Sequence, residues 1–293
     1  MAERTDWTAV FDDGYTRQRR RDTRRRVWRE VYGDEYPEGA DPYSYTTRTE
    51  LARIAAEVRV GRGGLLVDLG CGRGGTGLTV AAALAGAGTA GARAGAGAGA
   101  GTTGAGGADT DTGADVRLLG LDISEVALRE ARTAVARFPG LDPAHVTYRR
   151  GEFAATGLPD GAADAVMSVD ALTFAPDKQR ALDEVFRVLA PGGRAVFTSW
   201  DYDRTPDDRP PQVPDHRPLL TRAGFTVRAY EETPHWRRRM RAVSHGLIAH
   251  RDGLAAEEGP EAADAVVASV RHQLAYQIPL MSRRVLAVAE RRP

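Results

Sequence analysis

The chain has 293 residues, with 40 basic and 40 acidic side chains and a formal charge of +0. That suits one large domain, alone or with a cap, and argues against a general polyanion binder. Its single cysteine, Cys71, excludes a disulfide within the chain and fits a reducing cytoplasm. With no apolar h-region at the start and no stretch as long as a membrane span, a soluble protein without a membrane partner is expected. Lys178 is the only lysine, and the wealth of Arg, Ala and Gly reads as the coding bias of a GC-rich bacterial genome.

Residues 1 to 50 suggest two helices and no strand. In "TRRRVWREVYGDEY", Val27, Trp28, Val31 and Tyr32 line one helical face with arginines opposite. The run Arg19, Arg20, Arg21, Arg24, Arg25 and Arg26 could touch nucleic acid, but a solvated face beside paired acids is the stronger reading. After a loop, Thr49 is expected to cap a helix through "ELARIAAEVRV".

From Leu65 onward, strands alternate with helices. "LLVDL" ends at glycine and reads as a buried parallel strand; "GLTVAAALAG" follows as a helix. "VRLLGLDIS" is the second strand, and Ser124 caps the helix "SEVALREARTAVARF". "HVTYRRGEF" and "AADAVMSVDAL" are the third and fourth strands. A helix through "KQRALDEVFRVL" is expected to stop at Pro191-Gly192-Gly193 before a fifth strand, "RAVFTSW". A short helix "RPLLTRAG", a sixth strand "FTVRAYEE", a helical stripe of Trp236, Met240, Val243 and Leu247, a helix "EAADAVVASVRHQLAYQ" and a final strand "RRVLAVAERR" complete the chain. This alternation implies a doubly wound α/β sheet with its site outside the carboxyl ends of the strands.

Residues 86 to 115 are nearly all Gly, Ala, Thr and Asp. With no apolar payload to offset ordering, they predict a mobile, disordered surface insert. Asp122 lies 52 positions after Gly70, and 22 once those 30 residues are set aside, close to the spacing of a ribose-binding acid in dinucleotide folds.

"LLVDLGCGRGGTG" satisfies the G-x-G-x-x-G pattern of dinucleotide folds. Asp68, two residues ahead of Gly70, would repel a pyrophosphate but suits a cationic ligand. At these residues the chain resembles the class I S-adenosylmethionine-dependent methyltransferases of the small-molecule, methyltransferase-11/25 type. "VDLGCGRGG" matches their first motif and "GLDIS" their second. "GEF" at 151 to 153 matches the adenine-contacting turn, with Glu152 in place of the usual Asp, and the stretch from "DAVMSVDALTF" to "RAVFTSW" matches the fourth motif through the fifth strand.

The resemblance implies a Rossmann-like, mostly parallel seven-stranded sheet with its last strand antiparallel. It divides the chain into an N-terminal helical lid at 1–50, a core at 51–233, a helical cap insertion at 234–280 and a final core strand at 281–293. The cofactor implied is S-adenosyl-L-methionine, leaving as S-adenosyl-L-homocysteine. Its expected contacts are Asp68, Gly70, Cys71, Gly72, Asp122, Ile123, Glu152, Phe153, Ser168, Val169 and Tyr45. Tyr15 and Tyr43 could join Tyr45 in the lid, and Cys71 reads as a small buried hydrophobe rather than a nucleophile.

Candidate catalytic residues are Asp170 at the end of the fourth strand, as a general base, a cation stabiliser or only a loop cap, and His216 after the fifth and His235 before the cap helix, since an imidazole titrates near neutral pH and could deprotonate an acceptor. No His/Cys/Asp cluster has metal-ligand spacing, so no metal is expected. The reading is methyl transfer to a small-molecule acceptor of secondary metabolism, with a homodimer left open. Its rivals are a cofactor-binding protein that does not methylate, a nucleic-acid methyltransferase, and an NAD-linked oxidoreductase that Asp68 disfavours.

Overall fold

The computed structural model describes residues 5–18, 21–40, 43–95 and 115–293, with backbone only over 87–95. The strands are β1 (Leu65–Leu69), β2 (Arg117–Asp122), β3 (Val146–Arg150), β4 (Ala163–Val169), β5 (Leu189–Tyr202), β6 (Thr226–Glu232) and β7 (Met281–Glu290). They form one sheet in the order β3-β2-β1-β4-β5-β7-β6. β7 runs antiparallel to both of its neighbours, and the other pairings are parallel. Strand order reverses between β1 and β4, which opens a crevice at their carboxyl ends.

Helices α1 (Trp7–Arg17), α2 (Asp22–Tyr32), α3 (Arg48–Val58), α4 (Gly75–Gly95), α5 (Glu125–Ala134), α6 (Lys178–Val188), α7 (Arg217–Ala223), α8 (Trp236–Ala249), α9 (Arg251–Glu258) and α10 (Pro260–His272) surround it. Each face of the sheet buries its own apolar layer. Leu66, Leu118 and Met167 pack with Leu51, Ile54, Leu78 and Ala81 on the α3/α4 side. Val67, Leu69 and Val166 pack with Leu182, Val185 and Leu220 on the α6/α7 side. The period-two alternation of a strand makes this division.

The expected elements are present, with differences at their ends. Thr47, not Thr49, caps α3: it exchanges a reciprocal capping box with Glu50, while Thr49 bonds Glu35. α6 ends at Val188, and Pro191-Gly192-Gly193 falls inside β5. α4 continues to Gly95, into the stretch expected to be a disordered insert, because its alanines favour helix despite the glycines. Residues 96–114 of that insert lie outside the described residues. Ser124 caps α5 as expected, accepting from Ala127 N.

The N-terminal helices and the segment after β6 meet over the carboxyl edge of the sheet. Val27, Trp28 and Tyr32 of α2 pack with Val243 and Leu247 of α8, Leu254 of α9 and Ala263 of α10. A buried ion pair, Arg24 Nε to Glu258 at 3.0 Å, locks α2 to α9. Among the described arginines of the early run, Arg21 pairs with Glu130 and Arg25 with Asp22. Arg21 and Arg24 of that run are thereby spent on contacts within the protein.

A cavity at the carboxyl ends of the strands

A cavity of about 630 Å³ lies at the reversal point. Its floor is the turn after β1, the end of β2, the turn after β3 and the end of β4. Gly70 N and Cys71 N both donate to Leu121 O, at 2.8 and 3.0 Å, which folds the loop onto β2. Gly70 has φ +71°, and a Cβ there would come within 2.4 Å of the Ala171 Cβ; only glycine permits that turn and that approach.

Asp122 accepts from Gly72 N at 2.8 Å and Ser124 N at 2.9 Å, lines the cavity and is buried. Burial raises its carboxyl pKa, and the backbone donors from Ser124, Gly72 and Ile123 pull it partway back. A carboxylate short of donors and facing a cavity suits a ligand offering hydroxyls, such as a ribose. Ile123, Glu152 and Phe153 line the same end, so the chain's residues fit the nucleoside part of the ligand that the motifs imply. Cys71 lines it too, and burial pushes its thiol well above the usual range.

Asp68 is placed differently from expectation. It shares the face of Leu66, so its side chain turns toward the start of α4, where a Cβ on Gly77 would meet its Oδ2 at 2.5 Å. It lies behind the loop and does not line the cavity, although Leu69 does. Only 1% exposed, its carboxyl is pushed up to about 7 by burial and by the charge of Asp122, with Gly77 N and the Thr76 hydroxyl opposing. Ser168 likewise falls outside the cavity and Val169 inside it.

α1 covers the floor. Arg73 of the glycine loop donates to Tyr15 O and Gln18 O at 3.1 and 3.0 Å, pairs with Glu130 and lies under the Tyr15 ring, 4.6 Å from its centroid. Asp12 accepts from Ser124 Oγ. A Cβ on Gly72 would meet the Tyr15 hydroxyl at 2.9 Å, so this tyrosine seals the loop from above. Burial raises its phenol well above the ordinary value.

The opposite wall comes from remote segments. Tyr45, Trp200, Tyr202, Met240, Gln273 and Met281 line it. Asp170, with φ +57°, ends β4 at the boundary between floor and wall. Its Oδ2 accepts from Tyr45 N at 2.7 Å. Its Oδ1 accepts from the Thr198 hydroxyl at 2.8 Å and from Arg284 Nε at 3.0 Å, with Arg284 Nη2 in ion-pair contact at 2.8 Å. Arg284, with no exposed surface, also donates to Glu50 at 2.6 Å and Thr233 at 2.9 Å. Burial disfavours its charge, but Asp170 and Glu50 outweigh that and hold it above its usual value. Sequence reading missed Glu50, Arg284 and Thr233, because they lie far apart in the chain and match no local pattern.

This geometry corrects the catalytic candidates. Asp170 lines the cavity, and both of its oxygens accept hydrogen bonds, Oδ1 from Thr198 and Arg284 and Oδ2 from Tyr45 N. His216 is fully buried away from the cavity, its Nδ1 2.8 Å from Asp201, which also accepts from Tyr230 at 2.6 Å and Arg283 at 2.7 Å. His235 is exposed at the start of α8 with φ +60°. No histidine among the described residues lines the cavity. Among the described residues no group of three His, Cys, Asp or Glu could hold a metal ion, and no helix is long and apolar enough to cross a membrane.

Residues 93–197 match the family model described as "Methyltransferase domain", a span from the insert through β5 that omits the glycine loop. An arsenite methyltransferase of Halobacterium salinarum is 34% identical over 86 residues, covering 29% of this chain and 21% of that protein. The chain thus spans about a fifth of the length of that relative. The solved structure of the [4+2]-cyclase SpnF is 24% identical with a TM-score of 0.61, covering 83% of this chain and 81% of that one. Phosphoethanolamine N-methyltransferase 2 of Haemonchus contortus, solved with S-adenosyl-L-methionine, is 17% identical with a TM-score of 0.62, covering 97% and 60%. These two likenesses concern the fold.

Proposed function

We propose that the chain is a class I S-adenosylmethionine-dependent methyltransferase and that it methylates a small organic molecule by in-line displacement at the cofactor's sulfonium methyl carbon. When bound, S-adenosylmethionine supplies an activated methyl group, so the protein's main work is alignment and exclusion of water. Asp122, Ile123 and Phe153 hold the nucleoside end. The glycine loop, roofed by Tyr15, holds the amino-acid end, and Asp68 adds a negative charge from behind it. Tyr45, fixed by Asp170 and Gln273, faces the acceptor.

The observation that carries this reading is one continuous cavity of about 630 Å³ lined from Asp122 to the Trp200 and Met240 wall. Lids at 1–50 and 234–280 over a core at 51–233 and 281–293 would enclose a metabolite and leave little access for a macromolecule. We read the acceptor as a secondary metabolite and the setting as a bacterial cytoplasm. With Asp170 engaged on both oxygens and no histidine among the described residues lining the cavity, we read the acceptor as one that needs no histidine base.

The test is transfer of label from methyl-labelled S-adenosylmethionine into small molecules of a cell extract. Transfer supports the reading. Binding of S-adenosylhomocysteine with no transfer to any fraction supports a second reading, a catalyst on this fold that does not methylate, which the lack of a free base at the wall equally suits. The rate should follow the acceptor's own ionisation with no histidine limb; a limb near pH 6.5 in the wild type, lost on His216→Asn or His235→Asn, would restore a histidine base.

A further inference from the structure

Arg209 is a cation at the cavity with no carboxylate partner among the described residues. Arg209, half-buried and lining the cavity, sits over Phe174 at 4.8 Å and Trp7 at 6.0 Å from the ring centroids. Its Nη2 donates to Gln277 Oε1 at 3.2 Å. None of these partners is charged. The adjacent carboxylate, Asp208, is turned away: it accepts from Gln277 Nε2 at 2.6 Å and lies 3.3 Å from His272. Arg180, exposed at the same cavity, also has no carboxylate partner among the described residues.

The other guanidiniums here are treated differently. Arg73 and Arg284 are each ion-paired. A half-buried guanidinium left on aromatic faces and one amide keeps unused donors in a forked geometry that matches an oxyanion. The segment holding it is built for the purpose. Residues Gln273–Gln277 form one π-helical turn, a local irregularity often found at functional sites. Gln277 steadies Arg209, and Gln273 accepts from the Tyr45 hydroxyl at 3.2 Å. Acids line the cavity as well: Asp6 and Asp177 cap helices through Ala9 N and Arg180 N, Asp122 and Asp170 are held by Gly72 N, Ser124 N, Tyr45 N and Arg284, and Glu152 lies by the turn after β3; none of them pairs with Arg209.

We infer that Arg209 anchors an oxyanion of the methyl acceptor, a carboxylate or phosphate, so that the acceptor is an amphipathic anion. Its apolar body lies on Trp200, Tyr202, Met240 and Met281, which form one apolar cluster, and its charged end meets Arg209 beneath Phe174 and Trp7. This rests on the cavity holding cofactor and acceptor together.

The experiment compares 1-naphthaleneacetate with its uncharged isostere 1-naphthaleneacetamide on the full-length chain, by tryptophan fluorescence and calorimetry, with and without S-adenosylhomocysteine. The acid should bind about ten- to a hundredfold more tightly than the amide. The preference should weaken in 0.5 M salt, vanish in Arg209→Gln and persist in part in Arg209→Lys. Affinity for S-adenosylhomocysteine should not change in Arg209→Gln. Equal binding of acid and amide, a preference surviving in Arg209→Gln, or no binding of either probe overturns the anchor. Failure of S-adenosylhomocysteine alone to bind overturns the cofactor reading and leaves the acid-to-amide contrast to report on Arg209.

Discussion

The two sides of the cavity are made in different ways. The side proposed for the cofactor is a floor of backbone: Gly70 and Cys71 folded onto Leu121 O, and Gly72 and Ser124 N–H groups converging on Asp122. The side proposed for the acceptor is a wall of side chains, held by a buried ion network that joins α3, β4, β5 and β7 with the Thr233 turn after β6. Backbone geometry tolerates exchange of most side chains but not of glycine. A buried ion network tolerates conservative exchange at its rim but not loss of a member, since a stranded charge costs more than the pair contributes. Damage to the floor should therefore appear first in cofactor affinity, and damage to the wall first in stability.

Arg284→Met should have the largest effect. It leaves Asp170 and Glu50 without their cation, so a loss of about 3–5 kcal/mol is expected, read as a lowered urea midpoint with an unchanged slope. If the protein does not survive, the triple variant Glu50→Gln, Asp170→Asn, Arg284→Met should recover soluble protein, because no charge is then stranded. A single variant as stable as the wild type would show that the network does not hold the wall.

Gly70→Ala comes next and strikes the floor. The added methyl would lie 2.4 Å from the Ala171 Cβ with φ at +71°, a strain of about 1–3 kcal/mol. Affinity for S-adenosylhomocysteine should fall by about ten- to a hundredfold with a smaller stability loss than Arg284→Met causes. If stability fell further and affinity held, the contrast between floor and wall would fail.

The same contrast explains what could be read in the chain. β1 with its loop, Asp122 and the 151 to 153 turn are short stretches at consecutive strand ends, so each leaves a local pattern. Arg209, Gln273 and Met240 meet only after the cap folds back over β5, and no spacing announces that. Asp68 shows the limit within a motif: its position was legible, but the direction of its side chain depended on which sheet face Leu66 occupies. His216 looked like a base because it is a histidine near a strand end; its partners Asp201, Tyr230 and Arg283 come from three other positions and make it part of the packing.

Asp68→Asn separates charge from packing on the floor. A carboxyl held near pH 7 in the folded protein, against about 3.9 unfolded, keeps its proton between those values while the unfolded chain has lost it. Stability of the ligand-free protein should therefore fall as pH rises from about 4 to about 7 and level off above. A cationic ligand favours the ionised form, so cofactor affinity should rise over pH 6 to 8 by up to about tenfold per pH unit below the midpoint. In Asp68→Asn the contribution of this group to both trends should disappear. An affinity independent of pH in the wild type would mean that Asp68 supports the start of α4 and nothing more.

His235→Asn should have the smallest effect, and it tests the exclusion of histidine from the chemistry. The residue is exposed and in the left-handed region, where asparagine is tolerated as well as or better than histidine. Stability should stay within about 0.5 kcal/mol of the wild type, and methyl transfer should be unchanged at every pH. His216→Asn should differ in one respect only: with Asp201 losing a buried partner, stability should fall by about 1–3 kcal/mol while turnover per folded molecule holds. The pair thus sets a buried histidine against an exposed one, neither at the cavity. A drop in turnover for either, with the fold intact, would place an imidazole within reach of the acceptor and undo the assignment of the wall as a surface that shapes and excludes water without moving a proton.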